Sequence, residues 1–364
     1  MDTACAQDRA RLAELEHQIQ ELERTLAALR LEECAVKDRL NAYKYPVLSL
    51  PHEIVAEIFL RFIPAYPACP PLAGSESPVL LTHICRMWRE TALATPRLWR
   101  AVCLSAMERA SFNPNYIWLN RAGCCPLSIR LNERDSYALS GPALAAAIAP
   151  HRARCEYLKI RLAFQGAVPA IEGEFSILHH LDLELDVHLS KTVVFDTVPM
   201  LRSAVLDFIA SRWIVLPWTQ LTTLWLHTLT LPECVPILPK AENLVECHLD
   251  LVARLRDKNF VVDPCITLTR LQSLTVHAEN SMTRCLDSFS LPALFSLDIC
   301  EVLLGTDPVS SLSAFATRSQ CSLRQLCIRS THSSPLTEDA YCAAFPSIQS
   351  CQRIRTDGYI YCHE

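Results

Sequence analysis

The chain has 364 residues, of which 50% are hydrophobic and 20% charged, with a formal net charge of −5. This describes a folded chain of two or three units and excludes a disordered one. The acidic balance argues against nucleic-acid binding, because phosphate contacts need clustered Lys and Arg.

Several enzyme classes are excluded next. Only seven glycines are present, and none stand in a G-x-G-x-x-G or G-x-x-x-x-G-K arrangement, so phosphate-cradling loops are not expected. No G-x-S-x-G elbow occurs. His52-Glu53-Ile54-Val55-Ala56 opens like a zinc-protease helix but has Ala56 where the second ligand belongs. The 18 cysteines include no C-x-x-C pair, and many fall inside apolar patterns, where Cys acts as a small hydrophobe. No catalytic residue, metal or cofactor is expected. Met1 to Arg11 carries both signs of charge and no apolar stretch, and no run approaches the ~20 apolar residues of a membrane span. These features predict an intracellular protein of cytoplasm or nucleus, with reduced thiols and no membrane partner.

Residues 9–43 are expected to form one long helix. Leu12, Leu15, Ile19, Leu22, Leu26, Leu29, Val36 and Leu40 alternate steps of three and four, with one miss at Glu33 and no Gly or Pro. With Leu12 at heptad position a, a parallel dimer sets Arg11 against Glu16 and Glu32 against Lys37. This favours a two-stranded coiled coil. The alternative is an amphipathic helix folded back on its own chain.

Residues 45–105 read as a small helical unit. Pro51 suits a first helical position and Glu53 a first turn, followed by an apolar set at Ile54, Val55, Ile58, Phe59 and Phe62. Pro64, Pro67, Pro70, Pro71 and Pro78 mark an extended loop. Ser77 is a candidate cap for a second helix starting at Pro78. Leu80, Ile84 and Trp88 are predicted to share one stripe of that helix. Leu98, Trp99, Val102 and Leu104 are expected to form a buried connection.

The run Leu50-Pro51-His52-Glu53-Ile54-Val55-Ala56-Glu57-Ile58-Phe59 resembles the opening of an F-box. The run His83-Ile84-Cys85-Arg86-Met87-Trp88-Arg89 is similar to its second half. Thr95-Pro96-Arg97-Leu98-Trp99 is similar to the stretch just after the box in fungal F-box-like proteins, which often carry a preceding coiled coil. The resemblance implies a substrate-recruiting subunit of a ubiquitin ligase, without chemistry of its own. Its helices would dock on a Skp-family adaptor that bridges to a cullin–RING core. By position, Leu50, Pro51, Ile54, Ile58, Leu80, Leu81, Ile84 and Trp88 would make that contact, although Ile58 and Trp88 also fit a role holding the box together. The Pro-rich loop is longer than in a typical F-box; the expectation is that it bulges outward, the alternative that it pushes the two helices apart. The alternative is an F-box-like interaction scaffold not coupled to ubiquitination.

Residues 124–360 contain an internal repeat, apolar-x-x-apolar-x-apolar. It occurs at Cys155/Leu158/Ile160, Leu178/Leu181/Leu183, Leu201/Ala204/Leu206, Leu221/Leu224/Leu226, Leu244/Cys247/Leu249, Leu271/Leu274/Val276, Leu294/Leu297/Ile299 and Leu323/Leu326/Ile328. Successive starts lie 23, 23, 20, 23, 27, 23 and 29 residues apart. Weaker copies fall at Cys124/Leu127/Ile129 and Ile348/Cys351. The pattern resembles leucine-rich repeats, with Asp186, Leu229 and Val252 standing where that family has Asn or Cys. The expected fold is therefore α/β: a long helix, a small helical F-box-like unit, and an irregular leucine-rich-repeat-like solenoid. Strand alternation should place Glu184, Trp225, His248, Thr275 and Asp298 on a concave face that binds a target protein. The alternative is a set of amphipathic strands in another α/β fold.

Overall fold

The computed structural model describes residues 2–42, 46–104, 114–132, 146, 148–163, 168–169, 171–252, 265–278, 285–330, 338–346 and 348–355. It is a mixed helix and strand structure with a long N-terminal helix and a large parallel sheet. The chain divides into two units, residues 1–58 and 59–364, with the boundary inside the second helix.

In the first unit, α1 (Asp2–Ala42) runs for 41 residues. Its sequence has no Gly or Pro to interrupt the hydrogen-bond ladder, and Arg39 lies in the last turn, favourably placed in the dipole. Glu14 accepts a hydrogen bond from Gln18 four residues on, and Lys37 Nζ lies 2.6 Å from Glu33 Oε1 with the same spacing. The coiled-coil stretch expected over 9–43 falls within α1 up to Ala42; Tyr43 lies outside the described residues.

Helix α2 (His52–Phe62) begins one residue later than the sequence suggests. Pro51 stays outside it, and its carbonyl accepts the N–H groups of Ile54 and Val55, both at 3.1 Å. Glu53 occupies the first turn as expected.

In the second unit, Ser77 caps α3 (Pro78–Ile84). Its hydroxyl accepts the Val79 N–H at 3.2 Å, and Pro78 stands at the start, where a missing N–H costs nothing. The helix predicted to run on through Trp88 is broken. Cys85 adopts an extended conformation (φ −154°, ψ 170°) and starts a separate helix, α4 (Arg86–Leu93), its Sγ accepting the Trp88 N–H at 3.5 Å. Leu80 and Ile84 therefore do not share a helical stripe with Trp88. A sulfur that accepts from the backbone competes with continuous helix in the same way as a Ser or Asn cap.

The chain next enters the sheet through Trp99, fully buried, whose Nε1 donates to the Ala92 carbonyl at 2.9 Å. The sheet has eleven parallel strands in strict chain order: β1 (Ala101–Leu104), β2 (Leu127–Asn132), β3 (Cys155–Leu162), β4 (His180–Leu185), β5 (Ser203–Asp207), β6 (Thr223–Leu229), β7 (Glu246–Leu251), β8 (Ser273–Ala278), β9 (Ser296–Cys300), β10 (Gln325–Ser330) and β11 (Ser350–Arg355). The first strand takes up Val102 and Leu104, which the sequence predicts as a buried connection at the end of the helical unit.

The repeat template accounts for this register. Leu158, Leu181, Ala204, Leu224, Cys247, Leu274, Leu297 and Leu326 are register neighbours in sequence, and so are Ile160, Leu183, Leu206, Leu226, Leu249, Val276, Ile299 and Ile328. All sixteen are buried. Burying each Leu, Ile or Val among them contributes about 1.5–3 kcal/mol, against about 0–1 kcal/mol for an exposed ion pair, so these two columns dominate cohesion. From β5 onward each strand is entered through one device: a single carbonyl accepts two successive N–H groups of the next segment, as His179 does from Arg202 and Ser203, and Gln272 from Phe295 and Ser296.

Parallel sheets are usually covered on both faces. Here burial alternates strictly along the central strands, so one face packs against the connections and the other is open. Among the connections, Asp207 caps the short helix α6 (Phe208–Trp213), which follows α5 (Pro114–Arg121), and α7 (Pro308–Ser319) buries Leu312 and Phe315.

The two ends differ. At the start, Trp99 and Trp118 of α5 meet edge to face, their centroids 5.2 Å apart. At the far end, the second core column finishes in a charge, because Arg353 pairs in register with Ile328. Arg353 reaches Glu301, and Tyr341 of α8 (Glu338–Ala344) donates to the same carboxylate at 2.7 Å.

Candidate functional site: apolar helix faces and the open sheet face

The residues singled out from sequence form two groups. The first is apolar and helical. On α2 the aliphatic side chains divide: Val55 and Phe59 are both 1% exposed, whereas Ile54 is 50% and Ile58 48% exposed. Leu50 and Pro51, just before the helix, are also exposed. On α3, Leu80 is 43% and Ile84 54% exposed, while Leu81 is buried and belongs to the protein's own core. Trp88 on α4 is half-buried, and its ring packs edge-on against Phe59 at 5.0 Å. Leu81 and Trp88 are thus placed as supports, and the other six as surface.

The second surface is the open face of the sheet. Trp225, His248, Thr275 and Asp298 occupy one row, each the register partner of the next. Glu184 is not in that row; the register there is held by Asp182, and Glu184 lies two residues further along β4, paired with Arg161. Both positions point to the same face of the sheet.

Within the row, the rings of Trp225 and His248 stack, and His248 Nε2 lies 2.9 Å from Glu246 Oε1. Asp298 is clamped by Arg329, whose Nε and Nη2 donate to its two oxygens at 2.8 and 2.7 Å. Such paired donation fixes both side chains. His277 sits beside this clamp, 3.9 Å from Asp298, and its ring loses proton affinity through burial and then through the Arg329 charge. His227 and His277 both neighbour Asp250 in register, so they are packed within the face and not freely solvated.

Toward β3 and β4 the face is a ladder of paired charges: Lys159 with Asp182 at 2.8 Å and Arg161 with Glu184 at 2.7 Å. Beyond that it is covered. Residues of the Pro-rich loop lie on β2 and β3. Tyr66 donates to Glu156 at 2.7 Å, Ser128 donates to the Pro67 carbonyl at 2.7 Å, and Arg100 stacks over the Tyr66 ring. Prolines restrict the loop to extended conformations, so little further entropy is lost when it lies along the strands. Among the described residues, the uncovered part of the face therefore centres on the Trp225–Asp298 row.

Burial pushes Cys247 and Cys285 up to about 12, which keeps them protonated at neutral pH. Among the described residues, no three His, Cys, Asp or Glu side chains converge in a metal-ligating arrangement, and no helix is long and apolar enough to cross a membrane. No family model matches this chain, and no curated protein matches it.

Proposed function

We propose that this chain is a protein-recruiting adaptor of the F-box type, with no chemistry of its own. The helices after Leu50 hold a Skp-family adaptor and, through it, a cullin–RING core. The sheet is read as a leucine-rich-repeat-like solenoid whose open face holds the target protein. The carrying observation is the division of α2: one pair of large apolar side chains is fully used inside the protein, while Ile54 and Ile58 remain at the surface. Exposed aliphatic pairs at i, i+4 on a short helix are the pattern by which helices dock in apolar grooves. The strict chain order of the parallel strands and the 20–29-residue period support the repeat reading. The action would be one of position, raising the local concentration of a target beside a charged ubiquitin carrier.

The test is co-purification from cells of the intact chain against Ile54→Asp/Ile84→Asp. Both sites are exposed, so the fold should persist, as circular dichroism would verify. Skp-family adaptor and cullin should accompany the intact chain and be lost from the variant. Adaptor without cullin would favour the interaction scaffold not coupled to ubiquitination. Neither partner with a folded, intact chain would refute the F-box reading.

A further inference from the structure

We propose that Cys342 and Cys351 form a reversible disulfide that ties helix α8 to strand β11 at the far end of the sheet, closed by exchange with a low-molecular-weight disulfide such as oxidised glutathione. The pattern of both elements brings the two thiols together. On α8, Glu338, Tyr341 and Cys342 fall at i, i+3 and i+4, on one face of the helix. Glu338 accepts the Arg353 N–H at 3.2 Å and Tyr341 donates to Glu301, so that face is turned to the sheet. On β11, Cys351 and Arg353 stand two residues apart and share a face. Cys351 is the register partner of Leu326 and Arg353 of Ile328, both buried, so theirs is the face that the connections cover. There the Cys351 thiol donates a hydrogen bond to the Cys342 sulfur.

The turn between them is anchored at both ends. The Tyr341 carbonyl accepts the Phe345 N–H at 3.1 Å, and the Arg324 carbonyl accepts those of Gln349 and Ser350 at 2.8 and 3.1 Å. The sulfurs are thus held in contact before any bond forms, which favours closure over intermolecular pairing. Access sets the order of events: Cys342 is exposed and Cys351 half-buried. The Cys342 thiolate attacks the incoming disulfide, forming a mixed disulfide and releasing one small thiolate, which takes up a proton. The Cys351 sulfur gives its proton to solvent and attacks the Cys342 sulfur, and the second small thiolate leaves and is protonated. Two protein thiols are oxidised by two electrons, and one small disulfide is reduced to two thiols. Burial, with the hydrogen bond to Cys342 adding to it, pushes the Cys351 thiol up to about 12, so this second attack is the slower one and gains speed with rising pH. Cys155, Cys234, Cys247 and Cys285 are buried, out of reach of the same reagent. The last unit of a stacked array has a neighbour on one side only, and the bond holds β11 against local opening there.

Thiol mapping on the full chain tests the bond. The chain is incubated with equal amounts of reduced and oxidised glutathione at mildly alkaline pH, its free thiols are alkylated, and it is digested with trypsin. Both cysteines then lie on one peptide, residues 330–353, which holds no other cysteine. That peptide should be found unalkylated and lighter by two hydrogens, and dithiothreitol should reverse the change. Amide hydrogen exchange at β11 should slow roughly tenfold on oxidation of the intact chain and stay unchanged in Cys342→Ser, whose exposed site leaves the fold intact. A peptide alkylated at both cysteines, a mixed disulfide that never closes, or linkage no more extensive than in the chain unfolded in urea would overturn the proposal. Exchange at β11 indifferent to oxidation would overturn the tie between helix and strand.

Discussion

The rings of Trp225 and His248 stack across adjacent strands, their centroids 4.1 Å apart and their planes inclined by 29°. They are register partners on the open face, directly above buried Leu226 and its neighbours. The two layers should answer differently to truncation. Trp225→Ala removes a stacked pair at a half-exposed site and should cost about 1 kcal/mol. Leu226→Ala opens a cavity in a packed column and should cost about 2–5 kcal/mol. Urea denaturation followed by circular dichroism measures both. Equal losses would contradict the assignment of the packed core to one face of the sheet.

Arg353 closes the core column where a further aliphatic residue would otherwise stand. Its partner Glu301 is 7% exposed, so the charges are held almost out of water. Removing one member, by Arg353→Ala, should destabilise by about 3 kcal/mol, because the buried carboxylate loses its cation. The double change Arg353→Met/Glu301→Leu should recover most of that loss, since well-packed apolar replacements of buried pairs are often neutral. Hydrogen exchange at β11 would report the same event locally. Additive losses in the double variant would exclude direct coupling.

Asp207 ties β4 to β5, accepting the Leu185 N–H at 3.1 Å and the Ala210 N–H at 2.7 Å. Burial pushes its carboxyl up to about 6; the two N–H donors act in the opposite direction but do not offset it, and Glu184 and Asp186 add to the rise. Between the ordinary carboxylate range and about 6, the folded chain therefore binds more protons than the unfolded chain. Stability from this group is greatest at acid pH and declines as pH rises through that window, by at most about 1.4 kcal/mol per pH unit. The difference in unfolding free energy between the intact chain and Asp207→Asn, measured from pH 4 to 8, should fall up to about pH 6 and then level off. A rising difference would reverse the assigned shift.

The division between sequence and structure tracks the range of the interactions involved. Helix α1, the Ser77 cap and the two core columns were legible because each depends on neighbours a few residues away or on a period repeated many times. A strand that shows one apolar residue in two announces which face it buries, whatever lies beside it. The repeat spacing likewise predicts parallel neighbours, because each unit can cover its apolar face only with the next.

What the tertiary structure alone decided turns on single contacts between distant residues. Cys85 reads as one more apolar helix position, and its role as the break between α3 and α4 appears only in its backbone angles and its sulfur acceptor. Leu80 and Leu81 look alike in sequence, but the helix rotation leaves one exposed and the other buried. The Pro-rich loop carries no pattern that says where it lies; Tyr66 and Pro67 settle it by bonding to Glu156 and Ser128, ninety and sixty-one residues later. Glu184 stands outside the Trp225 row because alternation gives the face of a residue but not its row, which is set by the hydrogen-bond register between strands.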